Sequence, residues 1–235
     1  MNNRIFAAVS VAALMVGAAT SANAAITVVA AVADDLTGLG LGGYGQVMLE
    51  DFDAITSVPN AAYTGNEVNV TPNPITNSAP PPWSGGVMVV GASVPVDPTD
   101  YASVQAGGSG TFSALNGYYF KSFSFYLGSR DWYNQVTFNF KNGASQQFLG
   151  EQIWGGFPPG GGDRSLGYRV YYDFGGQAVS SISFGSSIDA FEFDGLAGTL
   201  AIPEPATWAM MLLGVGAVGG ALRQQRRRRL VSATA

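Results

Sequence analysis

Five segments between residues 122 and 194 alternate apolar and polar side chains with a period of two. Phe123, Phe125 and Leu127 alternate with Ser122, Ser124 and Tyr126, and Val136, Phe138 and Phe140 alternate with Thr137 and Asn139. Tyr168, Val170, Tyr172 and Phe174 alternate with Arg169, Tyr171 and Asp173; the pattern returns at Ile182 and Phe184 and again at Phe191 and Phe193. Successive side chains of a strand point to opposite faces, so each segment reads as a strand with one buried and one solvated face. Gly, Asn and Ser break the segments at short intervals, which predicts an all-β body: a single antiparallel β-sandwich of jelly-roll type. The continuous apolar run Val87 to Val90 predicts a central strand. Residues 57–83, rich in Pro, Asn and Thr, and residues 155–163, rich in Gly and Pro, predict surface loops. Helical pieces are expected only near residues 30–42.

Composition narrows the chemistry. The 235 residues include no His and no Cys. That excludes a Ser-His-Asp triad, imidazole or thiolate metal sites, thiol nucleophiles and disulfides. Charged residues make up 11 % of the chain, against about 25 % in ordinary soluble domains. An exported, loop-rich β protein fits these numbers better than a cytosolic enzyme.

Both ends of the chain read as targeting devices. Arg4, the apolar stretch Ile5 to Ala19 and the small-x-small sequence Ala22-Asn23-Ala24 form a secretory signal peptide over residues 1–24, cleaved by signal peptidase after Ala24. Near the other end, Trp208 to Leu222 is apolar and is followed by Arg223 and Arg226 to Arg229. Counted from Pro205, 18 residues rise about 27 Å as a helix, against a hydrocarbon core of about 30 Å. The expectation is a transmembrane helix with the body outside and the arginines in the cytoplasm. Gly216 and Gly220 within it have the spacing of a helix-dimerisation face. Between the two signals, residues 25–202 are expected to form one β-sandwich ectodomain.

Pro203-Glu204-Pro205-Ala206-Thr207-Trp208-Ala209, the apolar segment and the arginine cluster together resemble the PEP-CTERM sorting signal of Gram-negative bacteria, in its PEPxxWA form, over residues 203–229. The resemblance implies an exosortase as partner, a membrane-embedded cysteine transpeptidase that cuts near the Pro-Glu-Pro. It also implies passage through an inner-membrane intermediate to the outer cell surface or extracellular matrix, and a link to exopolysaccharide and biofilm. The same segment is also labelled an ice-binding protein C-terminal domain. The two prolines keep Glu204 extended and outside the helix, where an enzyme can reach it.

The body holds 15 of the 16 acidic residues but only five of the 11 Lys and Arg, a net charge of −10. Such a body should bind neither nucleic acid nor anionic lipid. Two acidic stretches bracket it, Glu50-Asp51-Phe52-Asp53 and Phe191-Glu192-Phe193-Asp194-Gly195. If the first and last strands pair, Asp51 and Asp53 approach Asp194, and clustered carboxylates suit a structural Ca²⁺, which takes six to eight oxygens. The two stretches also resemble those of carbohydrate-binding jelly rolls, a resemblance that implies a calcium between the terminal strands. A solvated acidic face is the alternative. The turn Gly128 to Asn134 carries Arg130, Asp131, Trp132 and Asn134 between two strands, a mixture suited to glycan contact, because an aromatic face matches the apolar face of a sugar ring. Core packing around a β-turn is the alternative reading. Glycosidase chemistry needs only two facing carboxylates, and Glu50, Glu151 and Glu192 are candidates, but nothing in their spacing selects a pair. The expected role is therefore structural or adhesive and not enzymatic, with a carbohydrate-binding lectin and then a glycoside hydrolase as alternatives.

Overall fold

The computed structural model describes residues 25–53, 58–65, 68–69, 77–128, 130–156, 165–202, 212–220 and 223. The signal peptide at 1–24 and the sorting residues Pro203, Glu204, Pro205, Trp208 and Ala209 lie outside the described residues. Among the described residues there are thirteen strands: β1 (Thr27–Ala33), β2 (Val47–Glu50), β3 (Ala61–Gly65), β4 (Val68–Asn69), β5 (Pro82–Val87), β6 (Tyr101–Val104), β7 (Ser109–Ala114), β8 (Tyr119–Leu127), β9 (Asn134–Phe140), β10 (Ser145–Leu149), β11 (Tyr168–Asp173), β12 (Val179–Ser186) and β13 (Phe191–Ala201). Short 3₁₀ turns occur at Leu41–Tyr44 and Gly150–Trp154. The body is all-β, as the alternation requires.

Every strand pair is antiparallel, and the pairing resolves into two layers. One layer runs β10-β9-β12-β7-β3. The other runs β1-β11-β8-β13, and β13 carries β6 and β2 end to end along its far side, with β4 beyond β6. A single pairing, Val179 with Phe120, stitches the layers where the sheet curls over. Among the described residues the first and last strands do not pair, since β1 pairs with β11; the acidic stretch expected to open the body ends the second strand instead, and that strand pairs with β13, Glu50 standing opposite Leu196.

Between the layers lies an aromatic core. Phe123 and Phe125 of β8, Phe138 of β9, Phe184 of β12 and Phe191 and Phe193 of β13 are all buried. Phe184 stacks on Phe193 across the layers with ring centroids 4.0 Å apart. Most of the remaining ring pairs meet edge-on or tilted, the arrangement the ring quadrupole favours. The residues predicted to face inward from these strands do so.

The opposite faces of β8, β11 and β13 depart from expectation. Ser124, Tyr126, Arg169 and Tyr171, assigned by alternation to the solvated face, are fully buried. For Ser124, Arg169 and Tyr171 the cause is the segment 34–46, which folds back over the outer side of that layer, while Tyr126 lies against Gly167 and donates to the Pro82 carbonyl at 2.6 Å. Leu41, Tyr171 and Ala197 form a second, small core there, and Tyr44 stacks on Tyr171 at 3.9 Å. Arg169 fastens this cover. Its Nε donates to the Asp35 carbonyl at 2.9 Å, Nη2 to the Leu36 carbonyl at 2.8 Å and Nη1 to the Gly195 carbonyl at 2.6 Å. Asp35 in turn accepts from Tyr171 Oη at 3.0 Å and from the amides of Leu39 and Gly40. Gly195 has φ +52, and a Cβ there would stand 2.6 Å from Arg169 Nη2, so a larger residue would displace the guanidinium.

Three further expectations change. The run Val87 to Val90 is not central: β5 ends at Val87, and Met88 and Val90 are 62 % and 98 % exposed. β5 pairs with no other named strand among the described residues: it makes isolated bridges to Val96, and Trp83 and Ser84 donate to the Pro95 carbonyl and to Asp34, contacts that leave Met88 and Val90 uncovered. The stretch 57–83 is not all loop, since β3, β4 and the start of β5 lie within it. Helical backbone also occurs at residues 212–220, where Leu212 and Leu213 are exposed, but among the described residues no helix is long and apolar enough to cross a membrane.

Removing the Arg169 guanidinium would strand three buried carbonyls and the Asp35 carboxylate. Arg169→Met should destabilise the fold by about 3–5 kcal/mol, lowering Tm by about 2–4 °C per kcal/mol in a thermal melt. Arg169→Lys should recover only part of the loss, because an ammonium cannot reproduce the planar fork of donors.

Candidate functional site

Two places collect the residues that could act on something outside the fold: the β8–β9 turn and the acidic end of β13. At the turn, β8 ends at Leu127 and β9 begins at Asn134, both buried. The Asn134 amide donates to the Asp131 carbonyl at 3.2 Å and closes the turn. Trp132 is 72 % exposed, whereas Trp154 is buried in the core. The Trp132 ring meets Tyr133 edge-on at 5.6 Å. Its backbone rests on Gly150, which has φ +50 and where a Cβ would stand 2.8 Å from the Trp132 carbonyl oxygen. Leu149 and Ile188 are exposed nearby, and the Ser187 amide donates to the Tyr133 carbonyl. The Trp132 backbone thus lies against Gly150 while its indole is exposed to solvent.

Its three polar candidates are placed differently. Arg130, Asp131 and Asn134 are all buried, and the Arg130 guanidinium lies over the Tyr168 ring at 4.5 Å. The turn is short and both its strands end in the core, so these side chains fold inward and build the wall behind Trp132. Of the four residues proposed for glycan contact, only Trp132 reaches solvent.

At the acidic end, Asp53 and Asp194 come within electrostatic reach of each other and of Asp97, as the pairing of β2 with β13 requires. Asp97 was not singled out by the sequence; it lies in a Pro- and Ser-rich stretch with no alternation to place it. One oxygen of each carboxylate is engaged within the protein, and Asp97 Oδ2 is buried without a hydrogen-bond partner. Asp194 Oδ1 accepts from the Gly195 amide, Asp97 Oδ1 from Thr99, Asp53 Oδ1 from the Asp100 amide and Asp51 Oδ1 from the Asp53 amide. Among the described residues no group of three or more carboxylates is arranged to hold a metal ion. Burial, and the Asp97 carboxyl beside it, push Asp194 well above the usual carboxylate range. Burial also raises Asp53, with the Asp100 amide opposing and Asp51, Asp97 and Asp100 adding to the rise.

The glutamates offered for glycosidase chemistry sit on three separate elements. Glu192 is buried in β13 and accepts from the Ala79 amide; Glu50 ends β2 and accepts from the Phe52 amide; Glu151 is exposed on the second 3₁₀ turn.

Comparison with known proteins adds the destination. Residues 201–228 match the PEP-CTERM protein-sorting motif. Such a motif implies export, an exosortase as the processing enzyme and a membrane-anchored intermediate before processing. The matched family is the sorting motif, and it lends no support to the ice-binding label. No curated protein matches the chain. Among solved structures, the family 11 carbohydrate-binding module of the cellulosomal cellulase Lic26A-Cel5E of Clostridium thermocellum is similar at 13 % identity, over 68 % of this chain and 98 % of that one, with a TM-score of 0.21.

The buried acid pair makes stability depend on pH with a definite sign. Folded Asp194 holds its proton more tightly than the unfolded chain does. Its contribution is complete below about pH 4 and is lost as the pH rises through the folded-state value. Asp194→Asn keeps the shape without the charge. Its Tm should exceed that of the natural protein by a margin that widens from pH 5 to pH 8, reaching the equivalent of about 1–3 kcal/mol. A margin independent of pH would show that Asp194 is ionised throughout.

Proposed function

We propose that this is an exported structural or adhesive protein of the cell envelope or extracellular matrix, sorted by an exosortase, whose sandwich associates with exopolysaccharide in a biofilm. The body acts by binding and not by catalysis. The sorting motif at 201–228 supports the destination. The observation that carries the binding role is the display of Trp132: among the described aromatic residues only Tyr44 and Trp132 are exposed, and whereas Tyr44 stacks on Tyr171, Trp132 is held 72 % exposed with its backbone against Gly150. A displayed indole stacks on the apolar face of a sugar, and one such contact contributes only about 0.5–1.5 kcal/mol beyond burial. Retention on a polymer then comes from many weak contacts at high effective concentration. After processing, only the β-sandwich would remain to make those contacts.

Two measurements test this reading. Intact-mass analysis of the protein from its native host should give a mature species that ends near residues 202–205; a species retaining Arg226 to Arg229 beside an active exosortase would exclude sorting. In affinity electrophoresis through the host exopolysaccharide, the natural full chain should be retarded. Trp132→Ala should lose most of that retardation with an unchanged Tm. Equal retardation of the two proteins would make Trp132 an ordinary surface residue.

A further inference from the structure

The outer face of the layer β10-β9-β12-β7-β3 is a continuous field of short, uncharged polar side chains. Register fixes two rows across all five strands. Gln147, Thr137, Ser183, Thr111 and Thr64 stand side by side in one. Ser145, Asn139, Ser181, Ser113 and Ala62 form the other. None of these ten residues is buried. Five strands span about 19 Å at about 4.8 Å spacing, and the rows lie about 6.8 Å apart along the strands.

The side chains brace one another. Gln147 Nε2 donates to Thr137 Oγ1 at 3.3 Å, Asn139 Nδ2 to Ser181 Oγ at 3.1 Å, and the Thr111 and Ser183 hydroxyls are 3.2 Å apart. A hydroxyl has one donor and two acceptor positions, and an amide has two of each. Gln147 Nε2 also reaches Gln135 Oε1, Asn139 Nδ2 also reaches Ser183 Oγ, and Thr64 Oγ1 donates to the Thr111 carbonyl, yet together these bonds use only part of that capacity.

We propose that this face is a binding surface for an uncharged polysaccharide chain, with Trp132 at its rim. The inference rests on the glycan-binding reading above and adds the surface and the chemical class. Charge is the first argument. The body carries a net −10, yet neither row includes a single Asp, Glu, Lys or Arg. An anionic polymer would meet no cation in either row and a repelling body behind it, whereas a neutral polyol meets hydroxyl and amide groups and the Ala62 methyl, which desolvate at modest cost. Composition is the second. Protein interfaces concentrate aromatic residues, Met and Arg, and the rows have none, which disfavours a second copy of this chain. Rigidity is the third: short Ser and Thr side chains lose little rotamer freedom when a ligand settles on them. Continuity is the fourth. Leu149 and Gln135 extend the face by one register step, and Gly150, next to Leu149, seats the backbone of Trp132. A chain lying on the rows can therefore end against the indole.

The test is affinity electrophoresis of the full chain in gels containing hydroxyethylcellulose, a neutral probe, or polygalacturonate, an anionic one. The natural protein should be retarded by the first and pass freely through the second. Ser183→Glu and Thr137→Glu place a charge at the centre of the face and should weaken retention at least tenfold, whereas Ser183→Thr should retain it. Gln147→Glu, on the exposed edge strand, gives the same reading if a central charge prevents folding. Unchanged retention of folded Glu variants overturns the face as the site, and retention by polygalacturonate alone overturns the neutral class; in either case the role of Trp132 on the host polymer stands or falls by its own experiment. Free passage of the natural protein through both gels overturns the proposal outright.

Discussion

Arg169 determines how the second layer of this sandwich is finished. A guanidinium with no exposure is tolerable only where its donors are met, and here three backbone carbonyls and the Asp35 carboxylate meet them. Burial draws Arg169 below its ordinary value, and Tyr171, Asp35 and Asp194 counter the shift. Two of the carbonyls belong to the covering segment and the third to the bulge of β13, so one side chain joins β11, the cover and the closing strand. Gly195 serves the same junction: its positive φ turns its carbonyl toward Arg169 and leaves room for the guanidinium. The same bulge sets the direction of the neighbouring Asp194 side chain, so the acidic end and the arginine junction share one irregularity of the backbone.

Period two was sufficient to read the inner face. Phe123, Phe125, Phe138, Phe184 and Phe193 meet where the alternation puts them, because packing between layers is the condition that produces the pattern. The outer face of the same strands was not legible. Arg169 and Tyr171 look solvated in a strand read alone, and only the return of residues 34–46 over the layer buries them. That return is a long-range event with no local signature beyond a few glycines. Val87 to Val90 failed for the converse reason: an apolar run reports hydrophobicity, and burial needs a neighbour that β5 lacks.

The candidate sites show the same division. Trp132 could be placed on a turn from its flanking strands, which left its indole either folded back over the sheet edge or displayed; the structure displays it. The inward fold of Arg130, Asp131 and Asn134 depends on Tyr168 and the core behind them, which no spacing in the sequence encodes. The convergence of Asp53 with Asp194 followed from strand pairing alone, but Asp97 arrives from a stretch without periodicity. The five-strand polar field was hidden for another reason. Each Ser, Thr or Asn is ordinary on its own strand, and only the register aligns them into rows.

The outer ends of the first and last strands have a consequence for presentation. Thr27 pairs with Asp173, Asp173 with Ser122 and Ser122 with Thr199, so the start of β1 and the end of β13 lie in one row at one pole of the sandwich. The β8–β9 turn follows Leu127, five residues further along β8, about 17 Å toward the opposite pole. A body held through its C-terminal segment would therefore carry its indole on the side remote from the tether, facing the surroundings before any cut is made. Adhesion would then require no reorientation on release, and an anchored and a freed copy would present the same pole to a polymer.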